Sequence, residues 1–246
     1  MKVLSFNILA DQYIDYNDLQ RDYPTIQESD LKLEKRMPKI LSYIKKIDAD
    51  IVFLQEITPQ TKKMFAKIFP DYKLTPLAKH KYSEGGSYNS GNMTMLKKSM
   101  FKKISNKSMF LAKTYNVFLI TDCEYEGEPL TLINIHLDWE KEELRTKEAI
   151  ALNKYLTKHK RCIVAGDFNT DADITHSKFK KLESAIMKNT STFLCENTMI
   201  DYIYVRGFKV SMGMVDNRPI EDKRNCFIKT IKLYGSDHYP VISIVI

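Results

Sequence analysis

The run Ile163-Val-Ala-Gly-Asp-Phe-Asn-Thr170 limits the fold more than any other stretch of the chain. Cys162 to Ala165 reads as a buried strand that meets Gly166 and then presents Asp167 and Asn169. Side chains two apart on an extended chain point the same way. A carboxylate and a carboxamide are therefore aimed together at the mouth of a sheet, where a rigid scaffold carries functional groups. Gly, Asp and Asn also fill ordinary turns, so the weight of this reading comes from the other apolar runs.

Those runs end in the same manner. Lys2 to Ile8 is β-rich and its strand ends at Asn7. Ile51-Val-Phe-Leu54 is apolar throughout, as in a strand covered on both faces, and it closes on Gln55 and Glu56. Glu126-Gly-Glu-Pro129 predicts a hairpin turn, and the return strand from Leu130 carries Asn134 and His136 on one face. Met199 to Val205 alternates and places Asp201 inside a β-rich run, where a buried carboxylate needs a partner. Gly235-Ser-Asp-His-Tyr-Pro240 brings Asp237 and His238 to the start of a last strand, Val241 to Ile246.

Further strands are expected at Asn92–Leu96, Met100–Ile104 and Asn116–Tyr125. Helical spacing covers 38–47, with Pro38 in the first turn, and runs from the Thr58-Pro59 cap to Phe69. The clearest helix is Lys141–His159, whose apolar stripe is Ala149, Leu152, Tyr155 and Leu156. Another is expected over Ser177–Met187. A polar loop is expected around Tyr13, Tyr16 and Tyr23. A glycine-rich loop over 79–91, with Tyr82 and Tyr88, is a natural place for substrate contact.

The chain has 246 residues and no linker, repeat or low-complexity tract, which suits one domain. Its net charge of +7, from 38 Lys plus Arg against 31 Asp plus Glu, suits a polyanionic partner. Cys123, Cys162, Cys195 and Cys226 stand far apart, which predicts reduced thiols rather than disulfides or zinc. Asn7 and Asp11 interrupt the N-terminal apolar run, so no signal peptide is expected, and no run approaches membrane-spanning length. An intracellular protein, cytoplasmic or nuclear, is the expectation.

Carboxylates and carboxamides without a cysteine cluster are hard oxygen donors, which match Mg²⁺ or Mn²⁺ rather than zinc. The histidines beside them can bind phosphate, donate to a developing oxyanion or shuttle a proton. Neither a nucleophile elbow nor a phosphate-binding Gly-x-x-x-x-Gly-Lys-Ser/Thr loop is present. These residue types point to metal-assisted hydrolysis of a phosphate ester, with water attacking in line.

Phe6-Asn-Ile-Leu9, Leu54-Gln-Glu56, Asn134-Ile-His-Leu137, Gly166-Asp-Phe-Asn169, Ile200-Asp-Tyr-Ile203 and Ser236-Asp-His-Tyr-Pro240 resemble, in order, the signature motifs of the endonuclease/exonuclease/phosphatase superfamily. The likeness spans nearly the whole chain. It implies an α/β fold of two packed mixed β-sheets, a sandwich flanked by helices, forming a single catalytic domain over 1–246. It also implies a Mg²⁺ site at one edge, with Glu56 as principal ligand and Asn7 beside it. By the same resemblance Asp167 positions or deprotonates the attacking water, and Asn169 holds a phosphate oxygen. His136 and His238 stabilise the pentacoordinate phosphorus, Asp201 orients His238, and Asp237 completes the metal or histidine network. Asn134, Asn169, Trp139, Tyr88 and Arg36 are the candidate substrate contacts, Arg36 being equally a residue that holds loops together.

Asn7-Ile-Leu-Ala-Asp-Gln-Tyr13 and Asn134-x-His-Leu-x-Trp139 are similar to motifs of the deadenylase/nocturnin/2′-phosphodiesterase branch. That likeness implies a 3′-exoribonuclease acting as a monomer, with single-stranded RNA as partner and DNA as the second choice. The chain departs from the branch at Ser90-Gly91, where an acidic residue usually precedes the glycine, and it lacks the branch's base-clamping Pro-Phe segment. His136-Leu-Asp-Trp139 followed by a helix with Arg145 fits equally a phosphatase acting on a small metabolite, nucleotide or lipid headgroup, or a tyrosyl-DNA phosphodiesterase. A binding module that has lost catalysis fits less well, because every proposed metal and proton-handling position is filled.

Overall fold

The computed structural model describes residues 1–81, 86–110, 114–170, 182–185, 191–193, 198–215 and 226–246. In chain order the strands are β1 Lys2–Asn7, β2 Ile51–Ile57, β3 Tyr72–Leu74, β4 Ala78–Lys81, β5 Ser87–Lys97, β6 Phe101–Phe110, β7 Val117–Tyr125, β8 Glu128–His136, β9 Cys162–Asp167, β10 Glu183–Ser184, β11 Asp201–Arg206, β12 Val210–Val215 and β13 Val241–Val245. The helices are α1 Tyr16–Asp22, α2 Glu28–Leu31, α3 Leu33–Ile47, α4 Pro59–Ile68, α5 Glu142–Leu156 and α6 Cys226–Tyr234.

The strands form two mixed sheets. The first runs β12-β13-β1-β2-β5-β3, with β4 also on β5, and the second runs β10-β11-β9-β8-β7-β6. Each holds one parallel pair at its centre, β1 with β2 and β8 with β9, and each pair is joined through a helix, α3 or α5. Such a crossover is what two parallel neighbours require. The sheets face one another, with β1 against β9 and β2 against β8. One continuous core joins Leu4, Phe53 and Met95 of the first sheet to Ile120, Leu132 and Ile163 of the second. The carboxyl ends of the two parallel pairs therefore meet at one edge, and those ends carry Asn7, Glu56, His136 and Asp167.

Local chemistry explains most element boundaries. Thr58 and Thr61 form a reciprocal capping box with Pro59 behind it, so α4 starts where the sequence indicates. Glu126 and Gly127 both take positive φ, 54° and 81°, the geometry of a tight hairpin turn, and β8 begins directly after them. Four expectations are corrected. The helix predicted to open at Pro38 opens at Leu33, and Pro38 sits within it, where the missing N–H deprives only the solvent-exposed Glu34 carbonyl. The loop around Tyr13, Tyr16 and Tyr23 contains a 3₁₀ turn, Asp11–Tyr13, and α1, which Asp15 caps with its side chain. Much of the loop predicted over 79–91 is strand, β4 and the start of β5, while Tyr82 lies outside the described residues. The helix expected over Ser177–Met187 does not run through 182–185, because Glu183 and Ser184 pair with Val205 and Tyr204; the rest of that span lies outside the described residues.

Candidate active site

Asn7 ends β1 and is almost completely buried. Its Nδ2 donates to Glu56 Oε1 at 2.9 Å and to Asp167 Oδ2 at 3.1 Å, so a single amide ties the two sheets together. Its Oδ1 accepts from Leu9 N, and Ala10 N then donates to Glu56 Oε2 at 2.7 Å. Glu56 owes its aim to a bulge between Leu54 and Ile57 and to a left-handed backbone at φ 60°. Leu9 (φ 56°) and Asn169 (φ 49°) are left-handed as well. Uncommon backbone conformations thus gather at this edge, as they do at functional sites in general.

Asp167 is the hub. His136 Nε2 lies 3.6 Å and His238 Nε2 3.7 Å from the same oxygen, Oδ2. Its other oxygen accepts from Asn169 N at 2.9 Å, and Asn169 Nδ2 donates to the Leu137 carbonyl at 2.9 Å, leaving one N–H of that amide for a ligand. Gly166 makes the position accessible. It has φ 147°, and a Cβ there would stand 1.9 Å from the Ile135 carbonyl oxygen, so only glycine lets β9 lie this close to β8.

His238 is oriented from behind by Asp201, with Nδ1 to Oδ2 at 2.8 Å, which aims Nε2 at the site. Burial alone would lower the pKa of His238. The Asp201, Asp237 and Asp167 carboxylates outweigh it and hold the imidazolium well above its ordinary range. Burial raises the pKa of Asp201, against the opposing pull of His238. Glu56 is raised chiefly by burial, with the Asp237 charge adding to it and His136 opposing. Asp237 itself is 4.0 Å from His238 Nε2.

A divalent cation suits these donors. Carboxylate oxygens of Asp167 and Asp201 lie within 4.8 Å of each other, and Asp201 Oδ1 is buried without a hydrogen-bond partner. Burial and the Asp237 charge make Glu56 costly to ionise, a cost that a bound cation relieves. The oxygen-rich set favours a hard metal.

Of the sequence-predicted site residues, the structure brings together Asn7, Glu56, His136, Asp167, Asn169, Asp201, Asp237 and His238. Two of the candidate substrate contacts, Asn134 and Arg36, are buried within the fold. Asn134 is 0% exposed and bridges the sheets, donating to the Leu54 and Met93 carbonyls at 3.0 and 2.9 Å and accepting from Gln55 Nε2 at 2.7 Å. Its register position on β8 points it between the sheets rather than at their mouth. Arg36, also 0% exposed, bonds the carbonyls of Leu31, Ile8 and Gly235 and pairs with Asp11. It is a strut under the loops that bear Asn7 and His238. Trp139 lies three residues beyond the end of β8, and Tyr88 lies near the start of β5. Trp139 is 78% exposed, and Tyr88 stands 6.3 Å from Tyr13, whose hydroxyl bonds Ser90 Oγ at 3.0 Å. Sequence reasoning missed His80, whose ring stands edge to face with His136 at 5.5 Å, and Glu148, a fully buried carboxylate on α5. Neither follows an apolar run.

The model of the endonuclease/exonuclease/phosphatase family matches residues 4–238, and the chain belongs to that family. It is a phosphoric ester hydrolase. Solved structures with the same fold include a mannosyl-6-phosphatase from Bacteroides thetaiotaomicron, 16% identical with TM-score 0.76, covering 100% of this chain and 99% of that one. They include the catalytic domain of human nocturnin with bound sulfate, 20% identical with TM-score 0.74, covering 100% and 94%. They also include D. rerio TDP2 with a single-strand DNA product, 18% identical with TM-score 0.74, covering 100% and 98%. No curated protein sequence matches the chain. Among the described residues, no helix is long and apolar enough to cross a membrane.

Proposed function

We propose that the protein is a Mg²⁺-dependent phosphodiesterase of nucleic acid, acting on single-stranded RNA from the 3′ end. Mn²⁺ is the expected substitute for Mg²⁺. The observation that carries the hydrolytic part is the placing of the His136 and His238 Nε2 atoms around one oxygen of Asp167. A phosphoryl group in front of that carboxylate meets two imidazole donors at once, together with the remaining N–H of Asn169. Water attacks phosphorus and gives one proton to Asp167, the bond from phosphorus to the ester oxygen breaks, and that oxygen leaves as a hydroxyl with a proton taken from solvent. His238, held protonated by its neighbouring carboxylates, stabilises the negative charge that builds on the phosphoryl oxygens. Glu56, with Asn7 and Asp237 beside it, is the proposed seat of the cation, whose chemistry is to neutralise phosphate charge and acidify water.

The choice of nucleic acid is supported by the aromatic rim and the charge. Trp139 lies three residues beyond His136 on a tethered loop: Asp138 N donates to Glu148, and Arg145 Nη1 donates to the Asp138 and Trp139 carbonyls. A rigidly mounted, exposed indole is suited to stacking on a base. Tyr13 and Tyr88 supply a second aromatic surface, past Glu56 on the first sheet. The net charge of +7 favours a polyanion. The test is incubation with Mg²⁺ and end-labelled RNA and DNA oligomers, beside the Glu56→Gln variant and a panel of small phosphate esters. Shortening of RNA from its 3′ end, lost in the variant, is the expected result. Intact oligomers with phosphate release from the small esters would overturn the reading in favour of a phosphatase.

A further inference from the structure

His136 has two buried polar neighbours that the proposed reaction does not use, one against its ring and one on the backbone beyond it. His80, on β4, packs against it with ring planes at 85°, and is itself only 6% exposed. Val117 N–H donates to His80 Nδ1 at 3.3 Å, so the proton of this neutral imidazole resides on Nε2. Burial pushes the His80 pKa down to about 3, and its buried Nε2 has no hydrogen-bond partner among the described residues. The strand that carries His80 docks closely because residue 91 is glycine. A Cβ there would stand 1.8 Å from the Ala78 carbonyl oxygen.

A second group lies on the backbone side of His136, where Asn116 Nδ2 donates to Glu148 Oε1 at 2.9 Å. Glu148 Oε2 accepts from Asp138 N at 3.1 Å, two residues beyond His136. His136 is thus flanked twice, by His80 against its ring and by Glu148 on the backbone just beyond it. Burying a carboxylate is unfavourable unless its lone pairs are filled. Glu148 has them filled by Asn116, Thr114 and Asp138, groups from the two loops that flank His136.

We propose that His80 and Glu148 are positioning residues for His136, His80 setting the plane of its ring and Glu148 the path of its backbone. This rests on the reading that His136 faces the reacting phosphorus. An imidazole displaced by about 1 Å loses on the order of 10²-fold in rate, so the effect belongs in kcat.

The experiment is a double-mutant cycle on the full chain with Mg²⁺ and an end-labelled single-stranded RNA oligomer. Activity of the wild type and its loss in His136→Ala test the functional reading first; failure of either overturns that reading, and the proposal with it. With that in hand, His80→Phe is expected to lower kcat roughly 10- to 100-fold with KM nearly unchanged. In the His136→Ala background it is expected to change nothing further, because residues that act through one another are not additive. His80→Gln, which keeps a donor and an acceptor, recovers part of the loss and carries the same cycle if the Phe variant does not fold. Glu148→Gln follows the His80→Phe pattern. Equal losses in both backgrounds, or an unchanged kcat in the wild-type background, would overturn the positioning role while leaving the reading of the site intact.

Discussion

Replacing His80 with phenylalanine should change how the fold responds to acid. In the folded protein burial moves the His80 pKa from 6.5 to about 3, while in the unfolded chain it returns to its ordinary value. Between those limits the unfolded state binds a proton that the folded state refuses, so stability falls as pH falls below 6.5. The slope is about 1.4 kcal/mol per pH unit, so His80 removes about 2.7 kcal/mol by roughly pH 4.5. That is a large share of the roughly 5–15 kcal/mol that holds a domain folded. Phenylalanine carries no such proton. It leaves Val117 N–H without its acceptor, a penalty of about 1–3 kcal/mol that does not vary with pH. The variant should therefore be the less stable protein near neutrality and should approach or overtake the wild type in acid. Urea denaturation of both proteins without metal, at intervals from neutral pH to roughly pH 4.5, measures the difference, and the remaining titrating groups cancel in it. Parallel stability curves would refute the argument, since they would mean that His80 takes up its proton without leaving the fold.

The remaining predictions concern the site itself. Glu56→Gln should weaken Mg²⁺ binding by at least about tenfold in calorimetry, because it removes an anionic ligand oxygen from a hard-cation site. Asp201→Asn should lower kcat roughly 10²- to 10⁴-fold. It should also move the His238 titration in NMR to lower pH, because burial pulls this imidazole down and Asp201 is the first of the charges that outweigh burial. Asn134→Leu leaves Gln55 Nε2 and the Leu54 and Met93 carbonyls without their partner. It should cost roughly 2–4 kcal/mol in urea denaturation and leave activity per folded molecule unchanged. Trp139→Ala should raise KM for an oligonucleotide about 5- to 100-fold and leave KM for a small ester unaltered.

The polar residues that close apolar runs were readable because strand character and its end are local properties. Ile51–Leu54 is apolar throughout and ends at Glu56; Cys162–Ala165 ends at Asp167; each prediction needed only its own neighbours. The same signal also selected Asn134, which the fold places between the sheets. Asn134 and Asn169 both lie at the end of an apolar run, but Asn134 lies two residues inside β8 and faces the opposing sheet, while Asn169 lies two residues beyond β9. Arg36 posed a similar problem. Its bonds to Ile8 and Gly235 join residues 28 and 199 positions away, and nothing near it in the chain announces them. His80 was hidden in a polar segment that becomes a strand only by pairing with β5. Glu148 looked like part of the charged face of α5.

The sequence by itself determined which side chains each strand would deliver at its end and, through their hard oxygen and imidazole chemistry, the class of reaction. Periodicity and donor type belong to short stretches of chain, and no distant contact alters them. Tertiary structure decided how those ends converge. The stacking of two sheets brought Asn7 to Asp167 across 160 residues, aimed Asp201 at His238, and enclosed His136 with His80 and Glu148. Those contacts depend on register and on the packing of one sheet against the other, which arise only when the core closes.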